Sequence, residues 1–148
     1  LNILALDLAT KTGWCCGKPS GVQTFDVKRG ESPGMRFLRL TAWLEEMQKL
    51  SGPFDVISYE MAHHRGGAAT QCCVGMTTHV LSFAAKHNIE VMPVHTATLK
   101  KWATGHGKAS KEAMIEFARS KGYDPIDDNE ADAIIIYCYA CETLGENN

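Results

Sequence analysis

At 148 residues and 16.2 kDa the chain has the length of one domain with a proper core and is too short for two of ordinary size. Apolar residues make up 45% and charged residues 22%, with 13 Gly and 5 Pro, a balance that excludes a disordered, collagen-like or linker-rich chain. The net charge of −2 does not by itself point to a nucleic-acid partner, but it is unevenly spread: Lys/Arg against Asp/Glu number nine to eight in residues 1–96, six to two in 97–121, and none to seven in 122–148.

In chain order, residues 1–8 read as a buried central strand, because Ile3, Leu4, Ala5, Leu6 and Leu8 are too continuous for a strand with one wet face. Short stretches over 13–16 and 21–27 flank Gly17-Lys18-Pro19-Ser20, a turn signal that predicts a hairpin. From Met35 to Leu50, the residues Phe37, Leu40, Trp43, Leu44, Met47 and Leu50 recur at three and four, which predicts an amphipathic helix ended by Gly52-Pro53. Residues 54–59 form a second buried strand leading directly into Glu60. A helix over 66–87 is rich in small residues, which suit either core packing or a dimer face. A third strand over 89–94 and helices over 109–121 and 130–143 complete an α/β order, a mixed central sheet with helices on both faces.

No apolar run approaches the roughly 18–20 residues of a bilayer span, and Asp7 interrupts the stretch where a signal peptide would need one, so a cytoplasmic protein with no membrane association is expected. The six cysteines fall as Cys15 and Cys16, Cys72 and Cys73, and Cys138 and Cys141 in a chain that needs no staples, so reduced thiols are expected. The spacing of Cys138 and Cys141 lacks the second pair of a zinc site and predicts core cysteines on one helix face.

Asp7 and Glu60 each follow strand-forming residues. If both strands are central and parallel, both carboxylates emerge at the carboxyl edge of the sheet, where open α/β sheets bind ligands. The segment Asp127-Asp128-Asn129-Glu130-Ala131-Asp132-Ala133 supplies a third element, since Asp128 and Asn129 each share a helix face with Asp132. Acidic residues at a helix start serve as caps, which accounts for Asp127 and Asp128 better than for Asp132. Oxygen donors converging without Cys or His ligands suit Mg²⁺, with Mn²⁺ as substitute. The chemistry favoured there is phosphodiester hydrolysis, in which two metals about 3.5–4 Å apart activate water and stabilise the leaving oxygen.

The run from Ile3 to Gly13 through Asp7, the strand Val56-Ile57-Ser58-Tyr59-Glu60, and Asn129-Glu130-Ala131-Asp132-Ala133 together resemble the successive active-site motifs of the RuvC-type Holliday junction resolvases, particularly their phage-borne branch. The resemblance spans nearly the whole chain. It implies an RNase H-like fold, a single nuclease domain over 1–148, a homodimer, symmetric Mg²⁺-dependent nicking of four-way DNA junctions, and a host-cytoplasmic location for a phage protein. By that resemblance Asp7, Glu60 and Asp132 take the places of metal-binding carboxylates. Asn129 stands where bacterial members usually carry a further Asp, so either Asn129 or Asp128 completes the set.

The segment from Thr98 to Lys108, with Lys100 and Lys101, looks like the family's DNA-contacting loop, leading into a helix that starts near Lys111. Lys100 and Lys111 match its functional lysines, Lys111 as part of the catalytic set. A lysine at a helix start opposes the dipole and implies an anionic partner. After Glu60, His63 falls where the family presents an aromatic residue near the junction centre. His64 and Arg65 follow as DNA contacts, the latter to phosphate. Trp14 and Trp43 are expected in the core, with Trp102 the one candidate for a nucleic-acid contact.

Two rival readings accompany this one. The run from Asp7 to Gly13 is also similar to the phosphate turn of actin-like ATPases and sugar kinases, but those need two such domains, so no nucleotide cofactor is expected. A branched-DNA-binding protein without catalysis is the other, kept open by Asn129.

Overall fold

The computed structural model describes residues 1–61 and 66–145. Five strands, β1 (Ile3–Asp7), β2 (Lys11–Cys15), β3 (Ser20–Thr24), β4 (Val56–Glu60) and β5 (Glu90–Val94), form one sheet in the order β3-β2-β1-β4-β5. The hairpin β2–β3 and the β1–β2 pair are antiparallel, whereas β1–β4 and β4–β5 are parallel. The strand residues 1–8 thus shorten to Ile3–Asp7, and the hairpin falls where its turn signal predicted.

Helices cover both faces, as the element order implied. On one face α1 (Met35–Leu50) and α2 (Ala68–His87) bury Leu40, Leu44, Met76, Val80 and Phe83 against Leu4, Leu6 and Ile57. On the other, α3 (Thr96–Thr104), α4 (Lys111–Ser120) and α5 (Asp128–Thr143) bury Leu99, Met114, Ile134 and Ile135 against Ala5, Cys15 and Val94. Alternate residues of β1 therefore feed two cores, which is why the strand is apolar throughout. The small residues of α2 serve the core in part: a Cβ on Gly75 would lie 2.5 Å from Phe37 Cζ of α1. None of the six cysteines forms a disulfide, and Cys15, Cys138 and Cys141 are buried. Among the described residues no helix is long and apolar enough to cross a membrane.

The structure corrects one element. The predicted loop from Thr98 to Lys108 is helical up to Thr104, where Gly105 at φ 85° ends α3. Leu99, Trp102 and Ala103, spaced at three and four, pack into the α4–α5 core. A helix this short gains its stability from that packing rather than from propensity, so the local sequence understates it.

The seating of α5 on the sheet depends on Gly13. Within β2 this residue lies opposite Asp7, and a Cβ there would come 1.9 Å from the backbone oxygen of Asn129. The first turn of α5 thus rests directly on the strand backbone. Gly13→Ala should destabilise the fold by about 1–3 kcal/mol or more through overpacking, measured by urea denaturation; unchanged stability would mean that α5 is not held there.

Candidate metal centre and nucleic-acid interface

Each of the three predicted carboxylates sits on a different element, and the fold brings them together. Leu6 pairs with Tyr59 in the parallel β1–β4 register, so Asp7 and Glu60, one residue further on, leave the sheet side by side. Asp132 enters from the second turn of α5, whose start is tied to the hairpin. Its N-cap Asp127 accepts from Glu130 N at 2.9 Å and pairs with Lys11 Nζ at 2.8 Å. Glu130, 7% exposed, accepts from Ser20 Oγ at 2.6 Å and from Ile126 N at 2.9 Å. In this arrangement one carboxylate oxygen from each of Asp7, Glu60 and Asp132 lies within 4.8 Å of the others.

Three carboxylates at such separations cannot all ionise cheaply without a cation. Burial pushes the Asp7 carboxyl well above its usual range, aided by the charges of Asp132, Glu60, Asp128 and Asp127. Burial likewise pushes Asp132 up to about 7, with Glu60 and Asp128 raising it and Lys100 and Lys111 opposing them. An all-oxygen set carrying this much negative charge fits a hard divalent cation such as Mg²⁺ or Mn²⁺.

Beside the carboxylates a hollow of about 200 Å³ is lined by Glu60, Thr96, Leu99, Lys100, Lys111, Met114, Asp128 and Asp132. Lys111, the first residue of α4, reaches Asp128 with Nζ 3.4 Å from Oδ2, the anionic partner that its place against the helix dipole implied. Asp128 shares the hollow with Asp132, whereas Asn129 does not line it. A second hollow, on the other side of Glu60, is lined by Asp7, Leu8, Met61, Ala69, Thr70 and Cys73.

The remaining sequence candidates separate. Lys100 lies on α3 and faces the first hollow. Lys101 on the same helix, and Lys108 between α3 and α4, are exposed and line neither hollow. His63, His64 and Arg65 lie outside the described residues. Trp102 packs edge-on against Phe117 and Tyr139, with ring centroids 5.2 and 5.5 Å away, and its indole N–H donates to Glu142. Its ring belongs to the core, as do Trp14 and Trp43, which pack edge-on at 6.3 Å. Thr96 escaped the sequence reading: its hydroxyl donates to Glu60 across 36 residues, and an isolated Thr at a helix start carries no signal of that contact.

The raised carboxyls make a prediction whose sign is fixed. The folded protein holds the Asp132 proton up to about pH 7, whereas the unfolded chain releases it near 3.8. The resulting stability is complete below the unfolded value and is lost as pH rises through the folded one. Asp132→Asn should therefore raise the Tm of the metal-free protein near pH 8, by roughly 2–4 °C for each kcal/mol recovered, with little gain near pH 3. Thermal scans in EDTA test this, and a lower Tm for the variant near pH 8 would refute the crowded-carboxylate picture.

No protein-family model matches the sequence, and no curated protein matches it. Among the solved structures similar to it are two that match over nearly its full length. A Thermus thermophilus RuvC structure matches at TM-score 0.73 and 20% identity, covering 98% of this chain and 97% of that one. T. thermophilus RuvC in complex with a Holliday junction substrate matches at TM-score 0.73 and 19% identity, with 95% of each chain covered. The mixed five-stranded sheet with helices on both faces is thus the RNase H-like fold of RuvC-type Holliday junction resolvases.

Proposed function

We propose that this chain is a metal-dependent endonuclease that resolves Holliday junctions, a single nuclease domain acting as a homodimer on DNA in the cytoplasm. The observation that carries the reading is the convergence of Asp7, Glu60 and Asp132 at the carboxyl edge of a RuvC-like sheet, beside a hollow lined by lysines. One of the similar structures is described as a complex with a Holliday junction substrate, which supports branched DNA as the partner here.

Asp7, Glu60 and Asp132, with Asp128 on the same side, would hold Mg²⁺, two ions per site, with Mn²⁺ as substitute. Held by these residues, such ions would supply water activation and charge neutralisation at the leaving oxygen. The chain's own groups do the rest. Lys111 and Lys100 face the hollow and set the scissile phosphate against the carboxylates, and Lys111 exchanges its contact with Asp128 for one with the phosphate. Lys101 and Lys108, exposed nearby, add phosphate contacts that position the arm without reading its sequence. His63, His64 and Arg65 follow Glu60 in the sequence and serve the junction centre.

A two-fold dimer matches the pseudo-symmetry of a four-way junction and gives one site per continuous strand, hence paired symmetric nicks. The exposed apolar residues Val74 (40%) and Leu81 (41%) on α2 support such a pairing.

The test is incubation with a labelled four-way junction and a matched duplex in Mg²⁺, Mn²⁺ or EDTA. Paired nicks should appear in the junction alone and only with metal. Asp7→Asn should lower cleavage about 100-fold or more, since a metal-centred stabilisation is worth several kcal/mol, while junction binding persists. Lys111→Ala should lower cleavage more than binding. Binding without any cleavage in either metal would leave a non-catalytic junction-binding protein instead.

A further inference from the structure

Glu60 differs from its two neighbours in the triad by one additional rotatable bond, so presenting it to a cation costs more side-chain freedom than presenting Asp7 or Asp132. The structure contains a device that limits this freedom. Val94 lies opposite Glu60 in the β4–β5 register, and Met61 N donates to Val94 O at 2.8 Å, which holds the two chains together beyond the end of β4. His95, in extended conformation, then turns the chain from strand into α3, and the first residue of that helix, Thr96, donates its hydroxyl to Glu60 Oε1. Leu99, 3% exposed, anchors the helix in the core. Thr96 and Lys100, one turn apart, therefore keep to the same hollow as Glu60.

We infer that Thr96 is a positioning residue for Glu60: its hydroxyl engages one carboxylate oxygen, sets the plane of the carboxylate and leaves the second oxygen for the cation. The inference rests on the reading of the triad as a divalent-cation site. Hydrogen-bond partners of this kind orient metal ligands and typically contribute 10–100-fold in metal affinity or activity. The same helix turn thus couples two tasks, since Thr96 aims a ligand while Lys100 faces the charge that ligand carries.

The experiment titrates Mn²⁺ into the full chain by calorimetry, comparing wild type with Thr96→Val, which keeps the shape and loses the hydroxyl, and Thr96→Ser, which restores it. Thr96→Val should weaken Mn²⁺ binding about tenfold or more, and Thr96→Ser should return it to near the wild-type value. Junction cleavage by Thr96→Val should recover as Mn²⁺ is raised, while the Tm of the metal-free variant stays near the wild-type value, which a general loss of stability would not allow. Should the valine variant fail to fold, Thr96→Ala provides the same comparison. Wild-type affinity in Thr96→Val, or a serine variant as weak as the valine one, overturns the role of Thr96 alone. A wild-type protein that takes up no Mn²⁺, or an Asp7→Asn variant that binds it equally well, overturns the reading of the metal site and the role of Thr96 with it.

Discussion

The mutual repulsion of Asp7, Glu60 and Asp132 is the constraint around which this structure is arranged. Three carboxylates within 4.8 Å of one another oppose folding at any pH where all are ionised. They remain together because the elements bearing them are held by contacts unrelated to the charges: the β1–β4 ladder for Asp7 and Glu60, and the packing of α5 on Gly13 and the hairpin for Asp132. Burial of Ile134, Ile135 and Ile136 fastens that helix to the sheet. The stored repulsion is released by protonation or by a cation, so the rigid scaffold holds these carboxylates together at a cost in stability.

The two faces of the sheet divide the work. The α1–α2 face is built from large apolar side chains, among them Leu40, Leu44, Met76 and Phe83, and among the described residues its helices place no charged group in the first hollow. Lys100, Lys111, Asp128 and Asp132 in that hollow all come from the α3–α5 face. The basic stretch of the sequence becomes α3 and α4, and the acidic stretch becomes the start of α5. Packing those helices together sets Lys100 and Lys111 against Asp128 and Asp132 in one hollow. The alternation of charge along the chain is thereby converted into a site with an anionic floor and a cationic rim, which matches the divided needs of binding a cation and a phosphate backbone.

Much of this was legible before folding because the signals are local. Continuous apolar residues before Asp7 and Glu60 marked buried strands ending in carboxylates, and the spacing of Phe37, Leu40, Leu44 and Met47 marked α1. The amides of an α-helix start need acceptors, so the acidic run from Asp127 announced α5. What the pattern could not settle was α3, whose nine residues are too few to declare themselves without the core that Leu99 and Trp102 enter.

The sequence by itself determined which residues carry charge, which strands are buried on both faces, and that Asp7, Glu60 and Asp132 end or enter elements able to meet. Only the tertiary structure decided the rotation of α5 about its own axis. Successive residues of a helix are turned by about 100°, so that rotation brings Asp128 to the hollow and leaves Asn129 out of its lining. It is set where Gly13 lets a backbone oxygen of α5 approach a strand more than a hundred residues earlier in the chain. The Thr96 contact with Glu60 is of the same kind. Periodicity and end signals act over a few residues and can be read along the chain, whereas close approach between distant backbones exists only once the packing that enforces it has formed.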